Sequence, residues 1–303
     1  PCQPQRTSMS PAAAPSRPSS DWACDPAIET AAGYLAAVRH APDRASAWRA
    51  AASRGGPAAL LALLRSLPRE TAPFSATPAG EELRGWFGAG RRLPVDRVPV
   101  GLLRLPASRA DYLRGRPRQA LRTNLNRAAA DGVTSTTDLS LAEVERSAEH
   151  IGQRRGGPLA LLTGPRALPG VSLLFAVSHD AAGDPVAVCE VVVDGSWAGL
   201  RTLQTVPDGQ TLRYPLHTSV VSELMARDVT MLTVRGSMLL TSAGTRYFQR
   251  RTGYEPVWLR PDPVPTQAAR VAVDAPSRTR PFIPAQRTGS GNPDTARELT
   301  SRS

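Results

Sequence analysis

Glu190 is the residue whose setting most suggests chemistry, because it interrupts the otherwise apolar run Val186-Ala187-Val188-Cys189-Glu190-Val191-Val192-Val193. Burial in such a strand disfavours the charged carboxylate and raises its pKa toward the range in which it can take a proton from an amine. The competing arrangement puts the same glutamate on an open sheet face, paired with an arginine such as Arg201. A second concentration of chemistry lies in residues 108–132, where Arg109, Arg114, Arg116, Arg118, Arg122 and Arg127 accompany Asn124 and Asn126. Arg118 and Arg122 stand four residues apart, so on a helix they share a face and repel, and an anionic partner would relieve the repulsion. A solvated face enriched in arginine by codon bias explains the same charges without any ligand.

Other chemistries find no residues to carry them. His40, His150, His179 and His217 have no spacing that pairs them as metal ligands, so no metal site is expected. His217 falls where it would cap or pack on a helix, and His179 falls in a turn. Cys2, Cys24 and Cys189 form no framework, which fits a reduced, cytoplasmic setting. The chain has no lysine, which removes a Walker loop and Schiff-base catalysis, and it has no Gly-x-Ser-x-Gly, His-Glu-x-x-His or Cys-x-x-Cys motif.

At 303 residues the chain can bury a core as one large or two small domains. Its 37 basic residues against 26 acidic ones give a net charge of +11. Because every cation is arginine and Ala, Pro and Gly are abundant, a GC-rich genome is the simplest source of that bias. The charge still permits attraction to phosphates, nucleic acid included, to carboxylates or to an anionic membrane surface. No apolar run approaches the roughly 18 residues that span a bilayer. The first twenty residues lack a hydrophobic centre, so they do not read as a secretory signal. The sequence opens on Pro1 rather than Met, which leaves a fragment, a processed form and a start at Met9 all open.

The elements that must position these residues follow from apolar spacing. Residues 1–20 and 261–303, rich in Pro, Ser, Thr and Arg, are expected to be disordered. Residues 21–97 read as a helical N-terminal region, with Ile28, Leu35, Val38, Trp48 and then Leu60, Leu61, Leu63 and Leu64 as its apolar positions. Residues 70–97 are expected to be loop, apart from a short helix at 81–87. A strand is predicted over 98–105, confined by Pro99 to a sheet edge or to the strand's end. Ser108 caps a short helix, a second helix spans 117–130 and ends at Asp131-Gly132, and a third spans 139–151. Strands are predicted at 174–177, 186–193 and 197–206, the last two joined by a tight Asp194-Gly195 hairpin. A helix over 212–227 and a strand over 229–234 follow, and 248–254 closes the pattern.

Three antiparallel strands, a helix, and a strand beside the third form an order that resembles the GNAT N-acyltransferase superfamily. The run Asp111-Tyr112-Leu113, Arg118, Leu121-Arg122, Asn124-Leu125, Arg127-Ala128 and Gly132 is similar to a segment of its exopolysaccharide- and cellulose-associated branch, which is related to FemAB-type aminoacyltransferases. The resemblance covers residues 98–260. It implies an α+β fold with a mixed, mostly antiparallel sheet flanked by helices. It also implies an acyl or aminoacyl transfer to an amine of a sugar, peptide or cell-envelope precursor, with acyl-CoA as a donor.

On that resemblance the donor lies at the junction after the third strand, involving Val206, Gln210 and Arg213. Gln210 fits the first position of the family's phosphate loop, while Arg213 and Pro215 stand where small residues are expected. Either Arg213 grips phosphate bidentately in place of backbone N–H groups, or the lobe does not bind CoA. Glu190 would be the base, and Arg118, Arg122 and Arg201 would hold anionic parts of the substrates. Many members place a thiolate-protonating tyrosine four residues before the Gly-Tyr ending. Here that position is Gln249, and Tyr247 lies two residues earlier, as either the general acid or a core residue. The alternative of another class is a catalytically silent protein of this fold that binds an anionic partner through its arginines.

Overall fold

The computed structural model describes residues 26–52, 55–87, 99–137, 139–157, 159 and 171–262. Of the ends expected to be disordered, 1–20 and 261–303, all but residues 261 and 262 lie outside them, and Pro261 is the last residue of a strand. Three helices come first: α1 (Pro26–Arg39), α2 (Arg44–Ala51) and α3 (Gly56–Ser66). Asp43 caps α2 by accepting the Ser46 N–H at 2.7 Å, and Pro57 sits in the first turn of α3, where a missing N–H costs no helical bond. Ile28, Ala31 and Leu63 bury against Leu239, and the Trp258 indole donates to the Leu64 carbonyl at 2.7 Å. Trp48, counted among the apolar positions, is 74% exposed.

The remaining elements are β1 (Arg69–Ala72), α4 (Pro78–Trp86), β2 (Val100–Arg104), α5 (Arg109–Tyr112), α6 (Gln119–Ala130), β3 (Thr134–Thr137), α7 (Leu141–Arg155), β4 (Ser172–His179), β5 (Pro185–Asp194), β6 (Trp197–Thr205), α8 (Arg213–Ala226), β7 (Met231–Ser237), α9 (Ala243–Thr252) and β8 (Glu255–Pro261). They build one open eight-stranded sheet in the order β1-β8-β2-β7-β6-β5-β4-β3. Every ladder is antiparallel except β6–β7 and β1–β8. This is the α+β, mostly antiparallel architecture expected from the sequence, with helices on both faces.

The structure corrects or sharpens the reading in three places. Residues 69–72 are a strand rather than loop, and they pair with β8 from within the region expected to be helical. Residues 134–137 form the strand at the opposite edge. β2 is interior, between β8 and β7, and Pro99 stands just before its first residue. Proline therefore marks the strand's start, and its carbonyl accepts from the Met238 N–H at 3.1 Å.

Two buried layers sandwich the sheet. On one face Ala187, Cys189, Val191, Ala198, Leu200 and Leu232 pack under Leu121 of α6 and Leu216, Val220, Val221 and Leu224 of α8. On the other, Val186 and Val188 pack with Val144, Ala148 and Ile151 of α7, while Val192 and Trp197 pack with Ala79 and Leu83 of α4. β5 is covered on both faces, which explains its nearly unbroken apolar run. The capping box Ser140–Glu143 opens α7, and left-handed Gly156 ends it.

Candidate functional site

β6 and β7 are partners over only part of their length. Trp197–Leu200 pair in parallel with Met231–Val234. Beyond that point β6 stays with β5 as far as the Thr205–Ala187 pair, whereas Ser237 of β7 pairs with Val100 of β2. The two strands therefore part company, and the edge of β6 after Leu200 has no strand partner in β7. At the parting lies an irregularity: Val191 faces Leu200 but Glu190 faces Thr202, so Arg201 is the extra residue of a bulge. A bulge re-aims a side chain, and here it turns Arg201 onto the α4/α7 face beside Glu190.

Glu190 is buried, at 6% exposure, on the same face as Val188 and Val192. Its Oε1 accepts from Arg201 Nη1 at 2.7 Å, and Arg201 Nη2 reaches Glu82 Oε1 at 3.0 Å. One guanidinium thus serves two carboxylates, and the trio keeps one net negative charge. A buried charge has to be paired, which is why Arg201 is drawn to this point.

Glu82 is delivered by α4, and local chemistry fixes that helix. Asp194, in the hairpin, accepts from the Ser75 N–H at 2.8 Å, from the Ser75 hydroxyl and from the Thr77 hydroxyl at 3.1 Å. Thr77 caps α4 through the Gly80 N–H at 3.2 Å, and Arg84 donates to the Phe74 carbonyl at 2.6 Å. Gly199 lets the helix approach, since a Cβ there would strike Leu83 and Trp86. Spacing in the sequence gave no signal for Glu82, because its partners lie more than a hundred residues away.

At the β6–α8 junction, residues Gln210–Leu212 make one 3-10 turn that runs straight into α8 without a side-chain cap. Gln210 is exposed, whereas Val206 is buried with the α7 layer. Arg213 donates from Nε to the Gln210 carbonyl at 3.3 Å, and its guanidinium lies 5.5 Å from the Phe248 ring centroid. Partial burial lowers its pKa. Pro215 occupies the first turn of α8, where no helical bond is lost, although its ring supplies no N–H to a ligand.

Behind that turn a neutral polar network is sealed in the core. His217 is fully buried, with Nδ1 3.3 Å from Tyr112 Oη and Nε2 3.0 Å from Tyr254 Oη. Tyr112 Oη also reaches the Thr252 carbonyl at 3.1 Å. One assignment satisfies all of them: Tyr112 donates to Thr252, the His217 Nδ1–H donates to Tyr112, and Tyr254 donates to Nε2. Burial, helped by the nearby Arg118 charge, pushes the His217 pKa down to about 3, and burial pushes the Tyr112 and Tyr254 hydroxyls up.

The two arginines expected to meet anions are turned onto their own chain. Arg122 Nη1 donates to the carbonyls of Leu113 at 2.5 Å and Gly115 at 2.8 Å, closing the end of α5. Arg118 is half-buried over Tyr112 and against Gly253, and donates to the Arg251 carbonyl at 3.4 Å. Tyr247 is 46% exposed, so it is not part of the core, and the Arg251 guanidinium lies 5.0 Å from its ring. Gln249 is buried with Oε1 unpartnered. Buried Cys189 has its thiol pKa raised by burial, which leaves it inert.

Outside the sheet, Arg116, Gln119, Ala120, Thr123, Asn124 and Arg251 line a cleft of about 400 Å³ between α6 and α9. Among the described residues no group of three or more His, Cys, Asp and Glu side chains is placed to hold a metal ion, and no helix is long and apolar enough to cross a membrane.

No protein-family model and no curated protein matches the chain. Among solved structures, it is similar to the DUF2156 C-terminal domain of a protein described as lysylphosphatidylglycerol synthetase from Agrobacterium fabrum, with 18% identity and a TM-score of 0.37. That match covers 52% of this chain and 58% of the other. It is similar to L-PGS from Bacillus licheniformis at 11% identity and TM-score 0.36, over 52% of this chain and 58% of that one. A GCN5-related N-acetyltransferase from Kribbella flavida matches at 14% identity and TM-score 0.31, over 53% and 54%. The chain thus spans a little over half the length of the structures it matches. None of the three supplies an argument about activity, which has to come from the residues themselves.

Proposed function

We propose that this protein transfers an acyl or aminoacyl group from an activated donor to an amine. The observation that carries the reading is the parting of β6 and β7 with a bulged arginine and a buried glutamate at its apex. The edge of β6 after Leu200, where the Thr205 carbonyl already accepts from Arg155 at 2.9 Å, offers its other backbone N–H and C=O groups to an extended, amide-bearing donor such as the arm of acyl-CoA. In the reaction Glu190, or a water it holds, takes a proton from the bound ammonium, and the freed amine nitrogen attacks the donor carbonyl carbon. Backbone N–H groups of the free edge steady the oxyanion, and collapse of the tetrahedral intermediate expels the thiolate or alkoxide, which takes the extra proton still carried by the attacking nitrogen. The negative charge left on the Glu82–Arg201–Glu190 trio favours a cationic, protonated amine at that face. The acceptor class is an amine on a sugar, peptide or envelope precursor, in a reduced cytoplasmic setting.

A second reading is favoured by Arg213 lying on Phe248 and by Pro215 in the turn that would hold phosphates. In it, the fold binds an anionic partner without turnover. The experiment is an assay of the purified chain with acyl-CoA and aminoacyl donors against a panel of amines, alongside Glu190→Gln. The expected result is turnover that drops about a hundredfold in the variant. No thermal shift with any donor, together with no turnover, would sink the transfer reading. Steeply salt-dependent binding to nonspecific RNA or DNA would favour the second.

A further inference from the structure

The cleft between α6 and α9 contains two arginines and no acid, and among the described residues neither arginine is ion-paired. Arg116 is exposed on the 3-10 turn Arg116–Arg118, and among the described residues no carboxylate pairs with it. Arg251 has no ion pair there either; its guanidinium lies on the ring of exposed Tyr247. The turn packs on α9, so the two cations come from opposite walls of one space. α6 begins at this wall with Gln119 and Ala120 and has no side-chain cap; the Gln119 N–H is taken by the Arg116 carbonyl, and the positive end of the helix dipole lies at the cleft. Thr123 and Asn124 each donate to their own helix, to the Gln119 and Ala120 carbonyls. The Asn124 Oδ1 and Thr123 Oγ1 lone pairs, with the Gln119 amide, are therefore left as acceptors for hydroxyl groups. Like charges held together cost free energy until an anion bridges them, and arginine meets phosphate oxygens in pairs of hydrogen bonds.

We infer that this cleft is a binding site for a soluble, hydroxyl-bearing organic phosphate of about nucleotide size. The phosphate lies between Arg116 and Arg251, and the hydroxylated part lies along Gln119, Thr123 and Asn124. A volume of about 400 Å³ suits such a ligand. The site is built from α6 and α9, apart from Glu190 and the β6–β7 edge, and it goes beyond the transfer reading.

The test is calorimetric titration of the full chain with a nucleoside diphosphate, a hexose phosphate, inorganic pyrophosphate and vesicles containing anionic lipid. One of the two organic phosphates should bind more tightly than pyrophosphate. Arg116→Gln and Arg251→Gln should each weaken that binding at least about tenfold, the loss of one charge-assisted contact. Arg114→Gln, whose arginine is paired with Asp111 at 3.0 Å and lies outside the cleft, should leave it unchanged. Three results would overturn the inference: no organic phosphate binds, pyrophosphate binds equally well, or only vesicles bind. Equal weakening by Arg114→Gln would also overturn it, since diffuse charge would then be responsible. Both cleft arginines lie outside the core, so unchanged melting temperatures should accompany the variants. Because the readout is equilibrium binding without turnover, a failure here leaves the transfer assay untouched.

Discussion

Among the described residues, two buried polar clusters on opposite faces of the same sheet are built on opposite principles. The Tyr112–His217–Tyr254 network is neutral, its hydrogen bonds are all satisfied, and it ties α5, α8 and the start of β8 together. The Glu82–Arg201–Glu190 trio is ionic, retains a charge, and stands where a ladder ends at a bulge. A satisfied neutral network in a sealed core fixes a fold, because opening it leaves costly orphan groups. An ionic trio with an unbalanced carboxylate leaves room for a further cation. On the transfer reading proposed above, one face carries structure and the other chemistry.

The largest effect should come from breaking the neutral network. His217→Ala should remove roughly 2–5 kcal/mol of stability through a cavity and a buried Tyr254 hydroxyl left without its acceptor, as read by chemical denaturation. A loss below about 0.5 kcal/mol would mean the network does not lock the fold. Glu190→Gln should leave the melting curve nearly intact yet cut transfer about a hundredfold, the reverse signature. Gly199→Ala should cost about 1–3 kcal/mol, because the new methyl meets Leu83 and Trp86 and pushes α4, with Glu82, off the sheet.

Acid sharpens the comparison further. His217 is neutral in the fold down to a pKa of about 3, while the unfolded chain protonates it near 6.5. Between those values the unfolded state binds the extra proton. The stability present above pH 6.5 should therefore fall as the pH drops toward 3, by up to about 1.4 kcal/mol per pH unit. Denaturation at pH 7, 6 and 5 measures the slope, and His217→Asn should flatten it. The smallest effect belongs to Glu82→Gln, which frees Arg201 to pair with Glu190 alone. Transfer should fall only several-fold, with the change mainly in KM for the amine.

The parts of the fold legible in the sequence share one property: their apolar residues repeat. β4, β5, β6 and α8 are interior elements that bury both of their faces or a full stripe, so their pattern is dense. Arg69–Ala72 and Thr134–Thr137 escaped notice because they are the two edge strands, short and polar, with one neighbour each. Pro99 was a true boundary signal, yet it could not say that the strand after it would lie in the middle of the sheet.

The candidate site divides along the same line. Sequence alone made Glu190 conspicuous, since a carboxylate in an apolar run needs a reason, and it named Arg201 as the partner that could neutralise it. Sequence also determined the strand–hairpin–helix–strand order, because local periodicity and an Asp-Gly turn are short-range properties. Only the tertiary structure brought Glu82 to Arg201, turned Arg118 and Arg122 onto backbone carbonyls, and set Arg116 against Arg251 across a cleft. Those outcomes depend on which distant surfaces meet, and the free energy that decides it is shared over the whole packed core rather than written in any one segment.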